Sequence, residues 1–278
     1  MYCHKIGLGL NKRMGLEQPQ IVPLLKDIGF EAFFSNWEAG DLQRELRRAA
    51  DDCGIRYQSI HAPFTGMHHL WQDDEKAAAV MDTLYACLDD CAEAGVDIMV
   101  AHAYIGFDPD EPHLAGLRYF EKLADRAREL GVRIAFENTE GEAFLAAVME
   151  DLKDEAHVGF CWDTGHELCY NHGKDMLALY GDRLLCTHLN DNLGIRDYDG
   201  KITAQDDLHL LPFDGIADWQ GIAARLDRCG FDDVMMFELL KTSGKDRREY
   251  GFYEGMSPEL YLTAAYQRAC RAAWLRKR

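Results

Sequence analysis

VGFCWDTGHELCYNHGKDMLALYGDRLLCTHLND, residues 158–191, contains one complete strand–helix–strand repeat. An apolar run over 158–163 stops on Asp163, a helical pattern follows near 175–180, and a second apolar run over 184–188 stops on His188. Short apolar segments rich in β-branched and aromatic residues, alternating with helical periodicity, are the signature of parallel strands joined by helical crossovers.

Working outward from this repeat, the same alternation recurs in both directions. Further strands are expected at 5–10, 32–35, 57–61, 98–102, 133–137 and 234–238. Helical patterns lie near 18–28, 42–53, 75–94, 113–130, 143–153 and 219–229, and a last one over 258–275 closes the chain. Ser257 followed by Pro258 suits the start of that helix, because serine caps and proline tolerates the first helical position. Eight strands with right-handed crossovers have one compact parallel closure, the (β/α)8 barrel, whose working residues sit at the C-terminal ends of the strands. The competing doubly wound sheet calls for a glycine-rich phosphate turn after the first strand. GLGLNKRMG, residues 7–15, does not match GxGxxG.

A chain of 278 residues with 47% hydrophobic composition fits one such domain over 1–278. No low-complexity linker interrupts it, and the Gly/Asp-rich stretch 192–207 reads as a long loop. A formal charge of −18 repels a polyanion at long range. The only basic cluster is the C-terminal Arg-Lys-Arg, so nucleic acid is disfavoured as a partner. The first fourteen residues lack the apolar centre of a signal peptide and no run reaches membrane-spanning length, which points to a cytoplasmic protein. Nine cysteines at irregular spacing, without a CxxC pair, read as reduced thiols. Cys87 and Cys91, four apart on an expected helix, either share a ligand or are packed thiols, and they receive no role.

The chemistry gathers at the strand ends. Six successive strands finish on His61, His102, Glu137, Asp163, His188 and Glu238, all metal-ligand types. Singly, such residues satisfy loop backbones and helix N-termini. Converged on one barrel mouth they repel and desolvate one another unless a cation compensates them, and the set therefore indicates a metal site. His166 follows Asp163 by three residues, with Gly165 allowing a tight turn between them. In THLNDN, 187–192, Asn190 and Asp191 either orient the His188 imidazole or touch substrate. Asp207 and His209, two apart, face the same way in an extended loop, where ligation and exposed loop polarity are both open. Trp37, Phe64, His68, His69 and Trp71 follow strands two and three, where they either cover a substrate face or pack in loops and core.

FEN at 136–138, WDTGH at 162–166, THLND at 187–191 and FEL at 237–239, in this order and at strand ends, resemble the xylose-isomerase-like barrel superfamily. That superfamily groups sugar and inositol epimerases and isomerases with apurinic endonucleases, and the resemblance covers nearly the whole chain. It implies one divalent ion, manganese, magnesium, cobalt or zinc, held by Glu137, Asp163, His188 and Glu238. It further implies a keto sugar, sugar phosphate or inositol derivative as substrate, isomerised or epimerised by α-proton transfer through an enediolate. Glu137 and Glu238 would then be the catalytic acid and base on opposite faces of the carbon, with His166 on a substrate hydroxyl. Arg196 is a candidate for a hydroxyl, carboxylate or phosphate contact, with a solvated loop arginine as the other reading.

The endonuclease branch implies up to three zinc ions on nine ligands, and every position has a counterpart here: His61, His102, Glu137, Asp163, His166, His188, Asp207, His209 and Glu238. A multi-zinc phosphodiesterase is therefore the alternative, and a dehydratase or lyase acting on a related keto substrate is a third. The negative charge and the lack of loop arginine and aromatic pairs for gripping a kinked duplex favour the carbohydrate. One departure touches both branches: Phe213-Asp214-Gly215 replaces the usual glycine-rich turn after His209, which puts the placing of Asp207 and His209 in question. Aromatics expected on the long loops and last helix leave room for a homo-oligomer.

Overall fold

In the computed structural model, which describes residues 4–107, 110–196, 201–242 and 247–277, eight parallel strands form one nearly closed barrel. The strands are β1 (Ile6–Leu10), β2 (Ala32–Asn36), β3 (Arg56–His61), β4 (Ile98–His102), β5 (Arg133–Glu137), β6 (Val158–Asp163), β7 (Leu184–His188) and β8 (Met235–Phe237). Outside them lie α1 (Gln18–Ile28), α2 (Leu42–Cys53), α3 (His68–Gln72), α4 (Ala77–Glu93), α5 (Leu114–Leu130) and α6 (Glu142–Asp151). They are followed by α7 (Thr164–Cys169), α8 (Met176–Tyr180), α9 (Trp219–Arg228), α10 (Gly251–Glu254) and α11 (Pro258–Trp274). Every expected strand is found, displaced by a residue at most at its ends, and α11 begins as its sequence suggests, with Ser257 Oγ accepting from Leu260 N. Residues 197–200 of the expected loop 192–207, the first three residues and Arg278 of the terminal basic cluster lie outside the described residues.

From β1 to β7 each strand is paired with its sequence neighbours, and β8 pairs with β1, giving the order β7-β6-β5-β4-β3-β2-β1-β8. The seam between β7 and β8 is closed by other means. Leu189, one residue beyond β7, donates its N–H to Met236 O at 2.8 Å, and Glu238 N donates to Leu189 O at 3.1 Å. Thr187 Oγ1 completes the seam, accepting from Met236 N at 3.0 Å and donating to Met236 O at 3.2 Å.

Burial on both faces explains why these strands read as continuous apolar runs and not as alternating ones. The larger core lies between the strands and the helices. Two smaller clusters mark the barrel interior: Ile98, Val100, Ala135, Cys161 and Cys186 form one, and Ala32, Phe34, Val234 and Met236 the other. Both consist of every second residue along their strands. Continued by two, the same parity brings His102, Glu137, Asp163, His188 and Glu238 to the mouth. Glycine makes room in β1, where a Cβ at Gly9 would lie 2.4 Å from the Phe34 ring. Phe34 in turn stacks on the His188 imidazole at 4.3 Å and forms the floor beneath it. No helix among the described residues is long and apolar enough to cross a membrane.

Candidate metal centre

Glu137, at the end of β5, is the hub. It is 1% exposed, and its Oε2 meets Nε2 of both His61 and His102 at 3.1 Å, while its Oε1 meets His188 Nδ1 at 2.8 Å. His188 Nδ1 also faces Glu238 Oε2 at 3.0 Å, so one imidazole nitrogen lies between the two carboxylates. Asp163 is pinned at both oxygens. Oδ1 accepts from His166 N at 2.7 Å as the cap of α7, and Oδ2 accepts from Asn190 Nδ2 at 2.9 Å. Asn138 clamps the strand below it, its Oδ1 accepting from Asp163 N and its Nδ2 donating to Asp163 O.

Four sets of donors converge to within 4.8 Å among the described residues, and three of them are built from the sequence candidates: Glu137, Asp163, His188 and Glu238; His61, His102 and Glu137; and His166, Asp207 and His209. The nine sequence candidates thus meet in one mouth, with Glu137 shared by the first two sets. The turn at Phe213-Asp214-Gly215 does not spoil the third. Asp191 holds that loop, accepting from Phe213 N, Ala217 N and Trp219 Nε1, and His209 Nε2 lies 2.8 Å from Asp207 Oδ2. His209 adopts φ +48°, a left-handed conformation uncommon for residues other than glycine and concentrated at functional sites.

The electrostatics follow from setting four carboxylates, Glu137 and Asp163 buried and Asp207 and Glu238 half-buried, among imidazoles. Burial alone would raise Glu137, but His188, His102 and His61 outweigh it and hold the carboxyl well below its usual range. Glu238 is likewise brought down to about 2 against its burial, chiefly by His209 and His188. Asp163, with burial dominant, is pushed up to about 6. Burial opposes protonation of His188 and His209 too, yet the carboxylates prevail: His188 stands well above its ordinary value and His209 at about 10. His102 goes the other way, to about 4, because burial dominates there.

A divalent ion fits this donor set. The surrounding carboxylates raise His188 and His209 against their burial, which marks a demand for positive charge there, and Asp207 Oδ1 is buried without a hydrogen-bond partner. Three carboxylates and one imidazole without a thiolate make a hard-to-borderline site.

The cavity above the donors measures about 430 Å³ and is lined by His61, His102, Glu137, His166, Asp207, His209 and Glu238. Several other lining residues were not singled out from the sequence: Arg13 after β1, Glu140 after β5, Tyr170, and Arg247 with Tyr250 after β8. They stand on loops or on single 3-10 turns, Lys12–Met14 and Arg248–Tyr250, too short to show a periodicity. Only their positions just beyond strand ends held a signal. Tyr170 stacks on the His166 ring at 5.0 Å, and Glu140, raised by burial, accepts from Gly106 N at 2.8 Å.

Other expected contacts fall elsewhere. Arg196 turns to Glu249, Asp206 and Gln205 O and does not line the cavity. Trp37 donates to Asp90 at 2.7 Å, and Trp71 is core, donating to Ala103 O. His68 packs on His69 beside a neighbouring pocket, whereas Phe64 stacks on His102 at the cavity wall. Asn190 reaches Asp163 and not the open cavity. Gly165 is helical and makes no turn; its lack of a side chain admits Asn190 Oδ1, which would lie 2.0 Å from a Cβ.

An uncharacterized protein of Sinorhizobium fredii, y4fM, is 28% identical over 258 residues, covering 77% of this chain and 78% of that one. Inosose dehydratase of Lacticaseibacillus casei is 26% identical over 159 residues, 49% of this chain and 52% of its own length. Among solved structures, the IOLI protein with a bound zinc atom superposes with a TM-score of 0.72 at 16% identity, covering 96% of this chain and 97% of that chain. Sugar epimerases recur among the solved neighbours, at identities that establish a shared fold alone. The sequence profile of one family matches from α1 to α11, residues 22–261, and the chain belongs to that family, the xylose isomerase-like TIM barrels.

Proposed function

We propose that the protein is a divalent-metal-dependent isomerase or epimerase of a keto sugar, sugar phosphate or inositol derivative. The observation that carries this reading is the pair Glu137 and Glu238, whose carboxylates approach one His188 nitrogen at 2.8 and 3.0 Å and converge with Asp163 beside a cavity of sugar-accommodating size. A bound ion supplies positive charge that acidifies the α-proton of a ketose and stabilises the enediolate. Glu137 and Glu238 each commit one oxygen to ligation and keep the other to remove or return the proton. His166, fixed through Nδ1 to Asn138 O, presents its other edge toward Asp207 and the cavity, where it holds a substrate hydroxyl. Arg13 and Arg247 take over at the rim the anion contact first expected of Arg196, which suits a phosphate-bearing substrate.

The test is incubation of the manganese-loaded protein with ketoses, ketose phosphates and inososes in deuterium oxide. Deuterium should enter the α-carbon with the wild type and not with Glu238→Gln; equal incorporation by both defeats the two-carboxylate reading. Loss of a hydroxyl from the product instead marks the dehydratase, a chemistry that a relative carries and that starts from the same enolate.

A second reading has its own observation. The nine donors fall into three sets, two of which share Glu137 while His166, Asp207 and His209 form the third, an arrangement that suits several zinc ions and phosphodiester hydrolysis. Metal analysis separates the readings: about one ion per chain favours the sugar chemistry, and about three zinc ions with cleavage of an abasic oligonucleotide favour the phosphodiesterase.

A further inference from the structure

Below the carboxylate set the barrel carries another donor. Cys161 precedes Asp163 by two residues on β6, so both turn inward, one layer apart. The β5–β6 register pairs Cys161 with Glu137, and a Cys161 sulfur, a Glu137 oxygen and a His188 nitrogen lie within 4.8 Å of one another. All three residues are at most 1% exposed. His188 has donor capacity to spare, because its Nε2 is buried without a hydrogen-bond partner while Nδ1 faces the two carboxylates. Around Cys161 the interior cluster is otherwise Ile98, Val100, Ala135 and Cys186, with no oxygen-bearing side chain.

Two donor sets therefore share Glu137 and His188. The upper set adds the hard oxygens of Asp163 and Glu238, and the lower one adds the soft sulfur of Cys161. Ligand atoms about 2.0–2.3 Å from an ion stand roughly 3–4 Å from one another in a tetrahedral site, a spacing the lower set can reach.

We propose that Cys161, with Glu137 and His188, forms a second and softer position for a thiophilic divalent ion such as cadmium or zinc. It shares two side chains with the position formed by Glu137, Asp163, His188 and Glu238. Binding breaks the Cys161 S–H bond and an N–H bond of the His188 imidazolium, releases both protons to solvent and forms thiolate–metal and imidazole–metal bonds, with no change of oxidation state. Hard ions stay in the upper position, so the two layers sort ions by softness.

The test uses the full-length, metal-free protein titrated with cadmium chloride and read by the ultraviolet thiolate-to-cadmium charge-transfer band. The band should appear with the wild type, persist in Cys186→Ser, and be lost in Cys161→Ser together with more than about tenfold in cadmium affinity. Manganese should give no band, and its binding, read by the loss of the free-ion paramagnetic resonance signal, should be unchanged in Cys161→Ser. A wild-type protein without the band, or Cys161→Ser with a band of full amplitude, overturns the proposal. Cys161→Ala, judged by the same band, serves if the serine variant fails to fold. The catalytic reading fails separately, by absent deuterium incorporation in the manganese-loaded protein.

Discussion

Asp163 is held at both oxygens by its neighbours. Burial drives its carboxyl up to about 6, and what keeps it oriented is one backbone N–H at Oδ1 and the Asn190 amide at Oδ2. Asn190→Leu removes the amide at nearly constant volume and leaves all four ligands in place. Such supporting partners are worth about 10–100-fold in metal affinity, so manganese binding measured by calorimetry should weaken by that much while the circular dichroism spectrum stays unchanged. Protons compete for the same atoms. His188 is held well above its ordinary value by Glu137 and Glu238 against its burial, so an ion competes with a proton for that imidazole. Affinity should therefore rise with pH by about tenfold per unit through neutrality, and more steeply below about 6, where Asp163 must also lose a proton. Dissociation constants flat between about pH 6 and pH 8 would remove His188 from the ligand set.

Between elements, the weakest seam is the one that carries His188 and Glu238. β7 and β8 are joined through Leu189 and through the Thr187 hydroxyl, which is fully buried and bonded to both backbone groups of Met236. Thr187→Val keeps the shape and leaves Met236 N–H without its acceptor. A buried donor stranded in this way costs about 1–3 kcal/mol, to be read as a lower urea midpoint with an unchanged slope; Thr187→Ser should retain most of the stability. At this scale much was legible. Parallel strands buried on both faces print as apolar runs, and the fixed alternation of a strand makes its last polar residue a mouth residue, which is why His102, Glu137, Asp163 and His188 stood out. The short helices α3 and α7 did not. α7 starts from the Asp163 cap and contains Gly165, which reads locally as a turn, and α3 is only five residues long. Arg196 stayed open between a substrate contact and a loop arginine because loop sequence cannot show which carboxylate captures a guanidinium; here Glu249, distant in sequence, does so. Arg13 and Arg247 escaped notice for the converse reason, having no regular element to announce where they point.

For the molecule as a whole, charge divides the two catalytic readings by the sign of a salt effect. The chain carries −18, while the described cavity lining offers only Arg13 and Arg247 as arginine or lysine side chains. A protein that grips nucleic acid releases counterions as lysines and arginines neutralise phosphates, so its binding falls steeply as salt rises. Here the long-range field opposes a polyanion, and added salt shortens the Debye length from about 10 Å at 0.1 M to about 3 Å at 1 M. Association with an abasic duplex should accordingly be weak and no weaker at higher salt. For a neutral ketose, kcat/KM should be nearly independent of ionic strength, because no net charge is brought to the mouth. A ketose phosphate lies between these cases, repelled at a distance and held by two guanidiniums at contact, so screening should change its kcat/KM only modestly. Initial rates with each substrate across a sodium chloride series check all three. A duplex whose affinity drops by orders of magnitude over that series would show that a local phosphate track outweighs the net charge, and would carry the assignment to the phosphodiesterase.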